Sequence, residues 1–241
     1  MVRLLRWIGF LVTVALRALL GAAGASTDGG GGGSGFPYDE VHGEWDPATT
    51  GDETISYPAG TSSGDLLLLF VVSSYDSRSI STPSGWTLYD TAAYVQNGKI
   101  LWRTASTESD VTLSMSGTDA LQLYTLVNAG TGWDATPLLV ATDTTSDNST
   151  STIAGDTKNN GDPWFWQFAY GDESVTSAST DADGTDILEV VNQRHSQSDG
   201  AIRKPGQIIC FGDTATTGIE PTMTLDANSY KFAQRLATDP A

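Results

Sequence analysis

The chain has 241 residues, with 12 basic and 29 acidic side chains and a formal net charge of −17. A body this acidic repels phosphate backbones and anionic lipid, which argues against nucleic-acid binding. One cysteine, Cys210, excludes an internal disulfide framework and any multi-cysteine metal cluster, and two histidines, His42 and His195, provision little hydrolytic chemistry.

Residues 1–25 hold three arginines and no acid. Wound as a helix at about 100° per residue, Arg3, Arg6 and Arg17 share one stripe. The seam Leu4-Ile8-Leu11-Ala15-Ala18 steps by four and three, as a coiled-coil core does. The expectation is an N-terminal helix that serves as anchor or oligomerisation arm. Ile8, Leu11 and Ala15 would be buried in an assembly, with the arginines turned to water or to acidic partners. A competing reading is a secretory leader with a basic start, apolar Trp7–Leu16 and a cleavage site at Ala23-Gly24-Ala25. Arg17 interrupts that pattern. Docking on a membrane surface is a third reading, but the uncharged run of 10 residues falls short of a bilayer span, which needs roughly 20. Residues 26–35 follow as a glycine-rich linker, since Asp28–Gly35 (DGGGGGSG) supports neither helix nor strand.

Beyond Phe36 helical periodicity gives way to strand signals separated by Thr, Ser, Gly and Asp. The apolar run Asp65–Ser74 reads as a strand covered on both faces. Trp86–Val95 and Lys99–Ala105 flank Gln96-Asn97-Gly98, a hairpin signal. Val111–Met115 and Ala120–Asn128 follow, then a polar loop from Thr142 to Gly161. Trp164–Tyr170, Asp186–Asn192, Gln207–Phe211, Thr222–Leu225 and Lys231–Ala237 complete the strands. About ten short strands without an interior helix predict an all-β fold over 36–241, an antiparallel jelly-roll-like β-sandwich. A faint echo joins the two parts: Gly64-Asp65 and Gly161-Asp162 each precede the most apolar strand of their half.

Gly64-Asp65-Leu66-Leu67-Leu68-Leu69-Phe70, then Thr82-Pro83-Ser84-Gly85-Trp86-Thr87, then a hairpin ending in Lys99-Ile100-Leu101-Trp102-Arg103, resembles a β-sandwich module of tailed-bacteriophage structural proteins. By order of elements the resemblance spans roughly residues 53–237, but only those motifs are sharp. It implies a jelly-roll fold and a capsid-decorating, head-fibre or tail-fibre role. No shaft repeat of a long fibre is present in the sequence.

Candidate chemistry is sparse. Asp181, Asp183 and Glu189 alternate oxygen ligands as a calcium loop does, but Thr185 and Asp186 stand where such a loop has Asp or Asn and then Gly. A solvated acidic turn is the plainer reading, and no other cofactor is expected. Trp164, Trp166, Phe168 and Tyr170 project from one face of a strand, where core or interface outweighs a sugar platform because Phe165 and Ala169 are apolar too. His195 sits in a polar stretch read as a surface loop tip. His42 is isolated, and Cys210 reads as a small buried apolar residue. Asn148-Ser149-Thr150 matches a glycosylation acceptor.

The sequence therefore reads as a non-enzymatic virion structural protein at the particle surface, held to other virion proteins through its helix and tether. A homo-oligomer, a trimer foremost, and contact with a host-surface glycan or protein are expected. The alternative is a secreted bacterial adhesin or carbohydrate-binding module, extracellular, with residues 1–25 as its signal peptide.

Overall fold

The computed structural model describes residues 39–45, 52–74, 79–93, 97–116, 121–131, 145–147, 150–159, 161–171, 174–181, 187–196, 204–213 and 217–238. The expected helix over 1–25, with Arg3, Arg6, Ile8, Leu11, Ala15 and Arg17, and the linker over 26–35 lie outside them. The described residues form strands and no helix. The first half runs β1 (Asp39–Trp45), β2 (Glu53–Ser56), β3 (Leu66–Ser73), β4 (Ser79–Ile80), β5 (Thr87–Ala93), β6 (Asn97–Thr104), β7 (Asp110–Leu113), β8 (Met115–Ser116) and β9 (Gln122–Asn128). The second runs β10 (Thr145–Asp147), β11 (Thr152–Ala154), β12 (Trp164–Gly171), β13 (Ala178–Thr180), β14 (Leu188–Arg194), β15 (Pro205–Gly212), β16 (Thr222–Leu225) and β17 (Tyr230–Ala237).

All pairings are antiparallel. One five-stranded sheet has the order β1-β9-β3-β6-β5 and the other β10-β17-β12-β15-β14. Small sheets lie outside them: β2-β7 and β4-β8 in the first half, β11-β16-β13 in the second. Side-chain alternation divides each central strand between two cores. Leu67, Leu69 and Val71 of β3 meet Ile55, Ile80, Val111 and Leu113. Trp164, Trp166, Phe168 and Tyr170 of β12 meet Ile153, Met223 and Leu225. The opposite faces meet each other: Leu66, Leu68 and Phe70 join Phe165, Ile209, Phe211 and Leu236, while Val72 and Leu123 join Ala169 and Phe232. The result is two sandwiches stacked through their large sheets. β3 is apolar from Leu66 to Val72 because both its faces are covered, and each large side chain buried there contributes about 1.5–3 kcal/mol.

The two halves repeat one plan. Leu67 pairs with Arg103 and Asn128, and Trp164 pairs with Gly212 and Ala237. Both face their own small sheet, so Leu67 and Trp164 correspond, and counting back sets Gly64-Asp65 on Gly161-Asp162. In the same alignment the register shift between Leu88 and Asp90, opposite Leu101 and Ile100, falls on that between Glu189 and Val191, opposite Cys210 and Ile209. Irregular hydrogen bonds coincide as well. Tyr57 N to Ser109 O at 2.8 Å matches Gly155 N to Pro221 O at 2.7 Å, and Ala129 N to Leu66 O at 2.8 Å matches Thr238 N to Pro163 O at 2.9 Å. A bulge kept at one position is a feature of the fold rather than an accident. β5 lies against β17, and β14 against β9, which is the same contact with the halves exchanged.

Three expectations change. The sandwich character holds, but there are two sandwiches where one was expected. The stretch 142–161 contains β10 and β11, strands of three residues whose Thr and Ser content disguises them. β5 and β6 pair as expected, but Asn97 pairs with Ala93 and Gly98 with Ala92, so both residues of the Asn-Gly pair belong to β6. Gly98 serves packing instead: a Cβ there would run into the Phe232 ring.

Candidate functional site

The motifs that carry the phage resemblance prove to be fold-forming. The buried Asp65 carboxylate accepts from Ser62 N at 2.7 Å and from Asn128 Nδ2 at 3.0 Å, tying the start of β3 to the end of β9. Ala105 N donates to Asp65 O at 2.7 Å, which brings in the strand after the hairpin. In the turn before β5, Trp86 N bonds Pro83 O at 3.1 Å, and Gly85 takes φ +76°, a conformation that favours glycine. Trp86 then enters the first core, with the Arg103 guanidinium 5.9 Å from its ring centroid and 3.0 Å from Glu108. The Ser106 hydroxyl, the backbone and Arg103 together hold the Glu108 carboxyl down at about 2.

The second sandwich has its own polar cap. Arg235 lies 4.3 Å from the Trp164 ring centroid and pairs with Asp156, whose carbonyl accepts from Trp166 Nε1 at 3.0 Å. The aromatic row Trp164, Trp166, Phe168 and Tyr170 is wholly core, as the apolar neighbours indicated. Cys210 is buried in the same core, and burial pushes its thiol up.

Of the calcium candidates, Asp183 lies outside the described residues. Asp181 Oδ1 accepts from Thr222 N at 2.6 Å, and Glu189 Oε2 accepts from Thr180 Oγ1 at 3.0 Å. Both carboxylates are thus engaged in holding β13 beside β16 and β14. Among the described residues no three His, Cys, Asp or Glu side chains are grouped to hold a metal ion.

His195 is not a surface tip. It follows β14 at 2% exposure, with Nδ1 3.6 Å from Glu44 Oε2 of β1. Ser196 Oγ donates to the same oxygen at 2.5 Å, Lys204 Nζ to Ser196 O at 3.0 Å, and His195 N to Pro205 O at 3.0 Å. The hydroxyl donates to the carboxylate, and this clasp ties β1 of the first half to the end of β14 in the second. The polar flanks of His195 suggested exposure, and β1, which supplies Glu44, carries no strong strand signal.

Behind the clasp runs a directed chain of amides. Gln234 Nε2 donates to Gln167 Oε1, Gln167 Nε2 to Gln207 Oε1 at 2.9 Å, and Gln207 Nε2 to Thr125 Oγ1 at 3.1 Å. Thr125 Oγ1 donates to Gln193 Oε1 at 3.4 Å, and Gln193 Nε2 to Gly43 O at 3.3 Å. The chain crosses between the large sheets and emerges beside Glu44.

No family model, curated protein or solved structure matches this chain. The clasp and the amide chain join side chains of the first half to side chains of the second.

Proposed function

We propose that the chain is a non-enzymatic structural protein of a tailed-phage particle, displayed on its surface as a capsid decoration, head fibre or tail appendage. The observation that carries this reading is the place of the resemblance motifs: Asp65 and Pro83–Trp86 organise a strand order close to a jelly roll. Counting strands within the second half, the large sheet runs first-eighth-third-sixth-fifth and the small one second-seventh-fourth. That is a jelly roll whose fifth strand has moved beside its sixth, and the order supports the jelly-roll reading of each half. The N-terminal helix would seat in the particle, as a trimer foremost, with the linker carrying the acidic head outward to solvent or to a host-surface glycan or protein. Strong negative charge keeps crowded heads from adhering to one another.

Density-gradient purification of particles followed by intact-mass measurement tests the proposal. Co-sedimentation of a chain beginning at Met1 or Val2 is the expected result. A chain beginning at Ser26 and found free in the medium would instead establish the secreted adhesin or carbohydrate-binding module, which has Ala23-Gly24-Ala25 in its favour.

A further inference from the structure

The inward faces of the two large sheets correspond position by position but are not alike. Phe232 stands where the first half has Leu123, and Gly98 where the second half has Gln207. Phe232 seats on Gly98, in a site a Cβ would already occupy. If the second half paired with itself, Phe232 would meet Gln207 where it now meets Gly98. If the first half paired with itself, Leu123 would face Gly98 and leave a void. The glutamines on the inward faces, with Gln167, Gln207 and Gln234 buried and Gln193 half-buried, sort the same way. Gln167, Gln193, Gln207 and Gln234 belong to the second half, and the first half has Phe70, Ala92, Gly98 and Thr125 in their places. Their chain of donors runs out on first-half acceptors, Thr125 Oγ1 and Gly43 O. A second half facing its own copy would lose those two acceptors and set glutamines in the places that Thr125 and Gly98 now fill with smaller residues.

We infer that the inward sheet faces are a complementary association surface: the chain is a fused pair of single-sandwich modules, and the partner each face fits is the opposite half and not a second copy of itself. Knob and hole disfavour both self-pairings while accepting the mixed one. This holds whatever the protein's role.

The test uses the full-length chain with a protease site placed between 132 and 144, cut after folding. The nicked protein is expected to elute as one body holding both fragments one to one. Returned from urea, the fragments are expected to re-form that body alone. Separation of the halves on nicking, or recovery from urea of any other species or of none, would overturn the inference. A second measurement isolates the knob and hole. Gly98→Ala is expected to lower the melting temperature by several degrees. Adding Phe232→Leu, the residue type of the first half, should raise it again. An unchanged Gly98→Ala, or a double variant less stable than either single one, would show that the fit does not set the pairing.

Discussion

At Asp65 one carboxylate oxygen accepts from two donors, while the residue's own carbonyl accepts from Ala105. Asp65→Ala leaves the Asn128 Nδ2 donor with only Thr61 Oγ1, at 3.2 Å, as its acceptor. Hydrogen bonds to a charged acceptor contribute about 1.5–3 kcal/mol each, so losing both is expected to cost roughly 3–6 kcal/mol, read as a lower urea midpoint with unchanged slope. Two tyrosines offer a second measurement. Burial first, then the Glu53 charge, pushes Tyr124 up to about 12, and burial does the same for Tyr170. Each raised phenol adds stability that is fully present below its unfolded value of 10.0 and is lost as pH rises through about 12. Ultraviolet titration of the native protein should therefore show a late class of phenols. Glu53→Gln should bring Tyr124 ionisation to lower pH while leaving Tyr170 in place.

Among the elements, β13 and the start of β14 are held by side chains more than by length. Asp181→Ala frees the Thr222 N–H and is expected to cost about 1 kcal/mol in a thermal melt. A chelator is expected to leave the melting temperature of the parent protein unchanged. A chelator-induced fall of several degrees, abolished by Asp183→Ala, would make the acidic turn a metal site. The strength of local signals accounts for what the sequence disclosed of this architecture. β3 and β12 announce themselves because covering on both faces demands unbroken apolar runs, and β16 was legible to the residue because Met223 and Leu225 alternate with polar neighbours. The Gly-Asp echo, slight as it is, gives the alignment that register and bulge reproduce. β4, β10, β11 and β13 are only two or three residues long and take their conformation from their partners. Leu66 and Leu67 are chemically alike, so no sequence pattern tells which faces the sister sandwich. Glu44 and His195 lie too far apart in the chain for any motif to join them.

For the whole molecule, every core described lies within 39–238, which predicts that a chain starting at Phe36 is soluble and unfolds cooperatively. An insoluble or molten product would make residues 1–35 part of the body. The proposed arm is probed in particles. Leu11→Asp should abolish incorporation, because it places a charge on the apolar seam. Arg17→Gln should weaken incorporation modestly, and more at low salt than at high. Normal incorporation of Leu11→Asp would remove the arm from the assembly.

The halves are also consecutive in sequence, and this orders them in time. A ribosome finishes β9 before it starts β10, so the first sandwich can close on its own small sheets while the face bearing Leu66, Leu68 and Phe70 still has no cover. At about 5–20 residues per second, a further stretch of about 100 residues takes roughly 5–20 s to make. For that interval every nascent chain shows a flat apolar sheet to its neighbours on the same message. Synthesis rate, chaperone supply and the spacing of ribosomes thus govern yield in a way that the stability of the finished protein does not reveal.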